Sequence, residues 1–155
     1  NSTGVYFLDL KLSGPKGELR DENFYCLSNP LDQLDFGQTS WYVTPVKKYA
    51  NLTALNSLPE AQVSYRWKVE GRGQRRNLVI ELANNSPYVA FNLEIQVLKK
   101  MREQSVVPLF LDDNYFSLLP GDKRVIRGYF NFDDLEGDEV DLRIRGWNVR
   151  AYVNK

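Results

Sequence analysis

Apolar and polar residues alternate with a period of two through most of this chain. In residues 62–70, Val63, Tyr65, Trp67 and Val69 share one face, and Gln62, Ser64, Arg66, Lys68 and Glu70 share the other. In residues 89–98, Val89, Phe91, Leu93, Ile95 and Val97 alternate with Ala90, Asn92, Glu94 and Gln96. Tyr6, Leu8, Leu10 and Leu12 repeat the pattern near the start, as do Leu78, Ile80 and Leu82, and later Val140, Leu142 and Ile144. Such alternation predicts half-buried strands, each with one face on a core and one in water. After Gly146 the apolar set moves to odd positions, Trp147, Val149, Ala151 and Val153, which predicts a bulge or bend at the glycine.

Turn residues punctuate these runs. Gly14-Pro15-Lys16-Gly17 separates strands expected at 5–12 and 18–28, and Gly71-Arg72-Gly73 separates 62–70 from 77–83. Pro120-Gly121-Asp122 is expected to close a hairpin between 114–119 and 123–132, and Asn84-Asn85-Ser86-Pro87 to sit inside another. Helix signals are scarce. Thr44-Pro45 could open one turn, and Asn51 could cap a short helix or 3₁₀ turn that Pro59 stops. Residues 29–40 have no period and read as loop. About eight strands at short spacing give the expected fold class, an all-β, immunoglobulin-like antiparallel sandwich with one short helical turn.

Composition narrows the function classes. Twenty basic and twenty acidic residues cancel, so no global field favours nucleic acid or an anionic membrane. No apolar run approaches the roughly 18 residues of a membrane span. The 155 residues contain no histidine, which removes the commonest general base and metal ligand and any Ser-His-Asp or Cys-His mechanism. A single cysteine, Cys26, excludes an internal disulfide and a cysteine zinc site, and its place in an expected strand reads as a small buried hydrophobe. No cofactor, metal site or catalytic residue is expected in this chain. It begins at Asn1 without a methionine or signal-like segment and is expected to be an excised or processed piece. The lack of disulfides is compatible with cytoplasm, periplasm or export, and secreted, periplasmic or vacuole-like compartments are ranked above the cytoplasm.

Several clusters carry candidate chemistry. Asp133, Asp134, Glu136, Asp138, Glu139 and Asp141 surround Gly137 and could hold a hard cation, although the spacing departs from an EF-hand loop and a charged surface loop accounts for it equally well. Asp112 and Asp113 are adjacent, so on a strand they point to opposite faces and do not flank one glycosidic bond. Trp41, Tyr42 and Tyr88 fall outside the buried periods and are the carbohydrate-binding candidates, because an aromatic face packs against the C–H side of a sugar ring. Trp67 lies on an apolar strand face and reads as core, whereas Trp147, beside the bend, fits either role. Arg72, Arg75 and Arg76 read as a solvated hairpin tip. Asn1-Ser2-Thr3, Asn51-Leu52-Thr53 and Asn84-Asn85-Ser86 fit the N-glycosylation triplet, which matters only in a host that glycosylates.

The stretch Leu111-Asp112-Asp113-Asn114-Tyr115-Phe116-Ser117-Leu118-Leu119-Pro120-Gly121-Asp122 resembles a motif in the last immunoglobulin-like domain of glycoside hydrolase family 2 enzymes, in the branch of exo-β-D-glucosaminidases, β-mannosidases and mannosylglycoprotein endo-β-mannosidases. Asp21-Glu22-Asn23-Phe24-Tyr25-Cys26-Leu27-Ser28, Leu52-Thr53-Ala54-Leu55-Asn56-Ser57-Leu58-Pro59 and Asn85-Ser86-Pro87-Tyr88-Val89-Ala90-Phe91 are similar to the same branch, with Cys26 standing where that pattern has tryptophan. The resemblance implies that the catalytic acid and nucleophile lie in a TIM barrel elsewhere in the parent, and that residues 5–28 correspond to closing strands of a preceding sandwich. On this basis 1–155 is expected as one sandwich with 50–155 its main body, and with 1–28 either completing it or belonging to the neighbour. Asp113, Asn114, Tyr115, Phe116, Pro120 and Gly121 are expected to define the fold, with Asp113 and Asn114 turning the chain and Phe116 and Leu118 pointing inward. The expected role is a non-catalytic accessory domain whose partners are the barrel and a neighbouring sandwich. The alternatives are a carbohydrate-binding module and a free-standing interaction domain.

Overall fold

The computed structural model describes residues 4–153, so the Asn1-Ser2-Thr3 triplet lies outside the described residues. The strands run β1 Val5–Ser13, β2 Leu19–Ser28, β3 Gln33–Leu34, β4 Val46–Lys48, β5 Ala61–Glu70, β6 Arg75–Asn84, β7 Ala90–Lys99, β8 Gln104–Ser105, β9 Phe110–Leu111, β10 Phe116–Leu118, β11 Lys123–Asn131, β12 Val140–Arg145 and β13 Val149–Val153. Helical structure among the described residues is confined to three short 3₁₀ turns, Phe36–Gln38, Thr53–Ser57 and Phe132–Leu135. The turn expected after Asn51 is present, and the Asn51 side chain accepts the Thr53 N–H at 3.0 Å. No helix opens at Thr44-Pro45. Proline's fixed φ also suits extended backbone, and the residues that follow form β4, paired with β3.

The chain divides into two compact units, residues 1–58 and 59–155. The first is built on the β1–β2 hairpin, whose register pairs Tyr6 with Leu27, Leu8 with Tyr25 and Leu10 with Asn23. Its faces differ from expectation. Tyr6, Leu8, Leu10 and Leu12 are exposed, while Val5, Phe7 and Asp9 on the opposite face are half-buried. Phe7 and Phe24 meet on that face with ring centroids 5.4 Å apart. Alternation along one strand shows that two faces differ. It does not show which one finds a cover. Cys26, on the same face as Phe7, is half-buried rather than buried, and that burial pushes its thiol pKa up.

The second unit is an all-β immunoglobulin-like sandwich. One sheet has the order β13-β5-β6-β11-β9, and the other the order β10-β7-β12 with β8 also on β7. Their inner faces supply the core: Val63, Tyr65, Leu78, Ile80, Leu82, Ile126 and Phe130 from the first, and Leu93, Ile95, Val97, Phe116, Leu118, Leu142 and Ile144 from the second. Burial of such side chains is the main stabilising term, at roughly 1.5–3 kcal/mol each. Trp67 packs on this core from a half-buried position. Within β7 the alternation holds from Leu93 onward. It slips at Asn92, where φ is +53° and the register with β10 shifts, so that Ala90 rather than Phe91 turns inward.

Two expected hairpins are instead crossings between sheets. β6 and β7 lie in different sheets, as do β10 and β11, so the 84–87 and 120–122 turns bridge the sandwich. Gly146 is a third crossing: β12 ends there and β13 pairs in parallel with β5 on the other sheet, which is why the apolar phase changes. A Cβ at Gly146 would run into the Val149 side chain and approach the Phe91 carbonyl to 3.2 Å.

The first two crossings meet at Asn84, which is 1% exposed. Its amide nitrogen faces the carbonyls of Tyr88 at 2.7 Å, Leu118 at 3.0 Å and Leu119 at 3.2 Å. Its side-chain oxygen accepts the Ser86 N–H at 3.1 Å and the Ser86 hydroxyl at 2.7 Å. Its backbone bonds Asp122 and Gly121. Replacing Asn84 with alanine orphans these buried groups. Equilibrium urea unfolding of Asn84→Ala is expected to show a loss of on the order of 3 kcal/mol, while Asn85→Ala next door loses less than about 1 kcal/mol.

Candidate functional site

The Asp-Asn-Tyr-Phe stretch is anchored residue by residue. Asp113 accepts the Asn114 N–H at 2.8 Å through one oxygen and pairs with Arg124 at 2.8 Å through the other. Asn114 accepts the Ile95 N–H at 2.8 Å and donates to the Ile95 carbonyl at 3.2 Å, so one side chain makes the two bonds a neighbouring strand residue would make with β7. Tyr115 stands at φ +59°, and its hydroxyl donates to Glu94 at 3.0 Å. That carboxylate raises the phenol pKa, first through the hydrogen bond and then through its charge. Phe116 and Leu118 are buried, and the Arg124 guanidinium lies 4.8 Å from the Phe116 ring centroid. Pro120 and Gly121, with Gly121 at φ +82°, take the central places of a turn in which the Asp122 N–H reaches the Leu119 carbonyl at 3.0 Å.

Asp112 and Asp113 follow the end of β9 and lie on no strand, so the expected strand alternation does not apply to them; Asp112 accepts the Arg127 N–H at 2.9 Å while Asp113 pairs with Arg124. Five of the six carboxylates in the acidic run are spent on their own surroundings. Asp133 accepts from Gln74 at 2.5 Å, and Asp134 completes a capping box with Asn131. Glu136 pairs with Lys99 at 3.0 Å and Arg102 at 2.9 Å, and Glu139 pairs with Lys100 at 2.8 Å. Asp138 accepts the N–H groups of Met101, Arg102 and Glu139. The run is an ionic clip on the β7–β8 turn. Among the described residues, no three acidic or cysteine side chains gather as a metal cradle.

The aromatic candidates divide between the two units. Trp41 is 93% exposed, at φ +47°, with the Tyr42 ring edge-on at 4.3 Å. Tyr88 is 45% exposed and lies in the 84–89 crossing, where its carbonyl is held by Asn84 and Ser86. Trp147 is exposed and edge-on to Phe91 at 6.4 Å. Sequence reasoning missed a further aromatic group on the outer face of β9 and β11. Phe110 stacks on Tyr129 at 4.7 Å and 15°, and the Arg75 guanidinium caps the other face of Tyr129 at 3.7 Å. This stack borders a cleft of about 540 Å³ that also includes Glu70, Asp112 and Arg127. Only the cross-strand pairing of Tyr129 with Phe110 reveals it. Arg76 does not float as a hairpin tip: its guanidinium donates to the carbonyls of Gly71 and Gly73 and lies 4.5 Å from the Phe132 ring centroid.

What these features define is an immunoglobulin-like β-sandwich domain whose motif residues close the fold and whose aromatic and ionic groups lie on its surface. Residues 41–149 match the family described as the exo-beta-D-glucosaminidase Ig-fold domain, and the chain belongs to that family. It is 34% identical over 145 residues to an exo-beta-D-glucosaminidase of Arthroderma benhamiae, covering 94% of this chain and 16% of that protein. It is 32% identical to one of Hypocrea jecorina, covering 99% and 17%. The crystal structure of Amycolatopsis orientalis exo-chitosanase CsxA superposes with a TM-score of 0.87 at 29% identity, covering 95% of this chain and 18% of that one. The chain thus spans about a sixth of the length of the curated relatives it matches. These relatives are exo-beta-D-glucosaminidases, and the β-mannosidase side of the expected branch finds no support among them.

The ionic clip has a pH signature. Lys99, first through its hydrogen bond and then through its charge, lowers the Glu136 pKa. For Asp138, desolvation is the largest single influence and acts upward, but the backbone N–H groups of Met101, Glu139 and Arg102 together bring the pKa below its ordinary value. Carboxyls depressed in the folded state stabilise it above their unfolded pKa and lose that contribution as pH falls through the folded values. The difference in urea midpoint between the parent chain and Glu136→Gln is therefore expected to be greatest near neutral pH. It should vanish once acid carries the carboxyl below its lowered pKa.

Proposed function

We propose that this chain is a non-catalytic accessory domain of a multidomain family 2 glycoside hydrolase that removes β-linked glucosamine from chain ends. In this reading the two glutamates of the reaction lie in the parent's barrel. This domain stabilises the enzyme by docking against the rest of the polypeptide. The observation that carries the reading is the exposed row Tyr6, Leu8, Leu10 and Leu12, joined across the hairpin by Tyr25. A two-stranded ribbon with an uncovered apolar face is marginal in water, and a contiguous apolar patch of this kind marks an interface. The short share of its relatives' length that the chain spans supports other strands of the parent chain as the occupant.

The test uses the full-length parent. Leu8→Asp combined with Leu10→Asp is expected to lower its thermal midpoint by several degrees and to open the hairpin to protease, while KM for a glucosaminide substrate stays unchanged. An unaltered midpoint would contradict docking through this face. A second reading, sugar binding by the domain, is favoured by one observation, the nearly complete exposure of Trp41 beside Tyr42. Calorimetric titration with glucosamine oligomers separates the two readings: sub-millimolar binding lost in Trp41→Ala supports the second, and no heat supports the first.

A further inference from the structure

We propose that Asn51 is an acceptor site for an N-linked glycan, and that the other described triplet of the same pattern, at Asn84, is structurally closed to one. The inference stands apart from the docking reading. Both sites carry the asparagine and the hydroxyl two residues later that the transfer chemistry needs, so sequence alone does not separate them. The structure does.

At the first site Asn51, Leu52 and Thr53 are all exposed. The Asn51 side-chain oxygen accepts the Thr53 N–H at 3.0 Å and the Thr53 hydroxyl at 2.6 Å. Both bonds fall on the oxygen, and Nδ2 has no partner among the described residues. The turn closes within three consecutive residues, so it forms without help from the core. Transfer joins Nδ2 to C1 of an oligosaccharide carried on a polyprenyl diphosphate. The C1–O bond breaks, the polyprenyl diphosphate leaves with the bonding pair, and one amide proton passes to a base in the transferase. No hydrogen bond among the described residues has to break to accommodate the product.

Asn84 presents the opposite case. Its Nδ2 is the atom that holds Tyr88, Leu118 and Leu119, inside a residue that is 1% exposed. A sugar on that nitrogen takes away a donor proton and fills the space where the 84–87 and 120–122 crossings meet. Chains modified there cannot close the sandwich.

The test is secretion of the 155-residue chain from a yeast that glycosylates exported proteins, with a known glycoprotein co-expressed as a transfer control. Peptide-N-glycosidase treatment in heavy-oxygen water followed by peptide mass spectrometry marks each occupied asparagine. The expected result is a glycan on Asn51 in most secreted, soluble molecules and a bare Asn84 in the same fraction. The Asn51 glycan is lost in Asn51→Gln and in Thr53→Ala and retained in Thr53→Ser. A bare Asn51 in soluble protein secreted beside a glycosylated control would overturn the first half of the proposal. A glycan on Asn84 in soluble protein with native circular dichroism would overturn the second.

Discussion

A β-sandwich is held shut by whatever satisfies the backbone where the chain passes from one sheet to the other. Inside a strand, each N–H and C=O has a partner built into the ladder. At a crossing the ladder ends while the core does not, and an unpaired amide group left there costs about as much as a lost hydrogen bond. This chain solves the problem with asparagine, whose side chain carries the same donor and acceptor as a peptide unit. Asn84 ties the 84–87 crossing to the 120–122 crossing. Asn114 stands in for a strand residue against Ile95. Asn148 accepts the Phe91 N–H at 3.0 Å and donates to the carbonyls of Pro59 at 2.6 Å and Val89 at 2.9 Å, joining the Gly146 crossing to the entries of β5 and β7. The apolar core supplies most of the free energy, and these three side chains decide which crossings it closes around.

Much of this was legible in the alternation of side chains. The strands from β5 to β7, β11 to β13 and the β1–β2 hairpin all lie within a few residues of where period two and the turn residues put them, and the phase change at Gly146 was visible as such. Partner identity was not. An alternating run shows that a strand has a wet face and a dry face, yet two such runs joined by a four-residue turn look alike whether they pair with each other or face each other across a core. Asn84 read as turn punctuation for that reason. Tyr6, Leu8, Leu10 and Leu12 read as a core row because apolar residues imply a cover, yet on the hairpin all four are exposed.

The surface features were partly legible too. Trp41, Tyr42 and Tyr88 were picked out by lying outside buried periods, and all three are exposed, but they belong to different units. The stack of Arg75, Tyr129 and Phe110 needed the register of β11 against β9 and was invisible beforehand. The acidic run shows how little composition says about chemistry: five of its six carboxylates are claimed by Lys99, Lys100, Arg102, Gln74 and nearby backbone N–H groups. What emerges is a domain whose specific residues go into closing the fold.

The central claim is that the side-chain amides of Asn84, Asn114 and Asn148 act as internal backbone. Side-chain amide hydrogen exchange, followed by nuclear magnetic resonance, addresses it without a mutation. The account predicts that the Nδ2 protons of Asn84, and those of Asn114 and Asn148 more weakly, exchange with the slowness of N–H groups in the central β5–β6–β11 ladder, because they are released only when the sandwich opens. Exchange at the rate of an exposed asparagine such as Asn131 would contradict it.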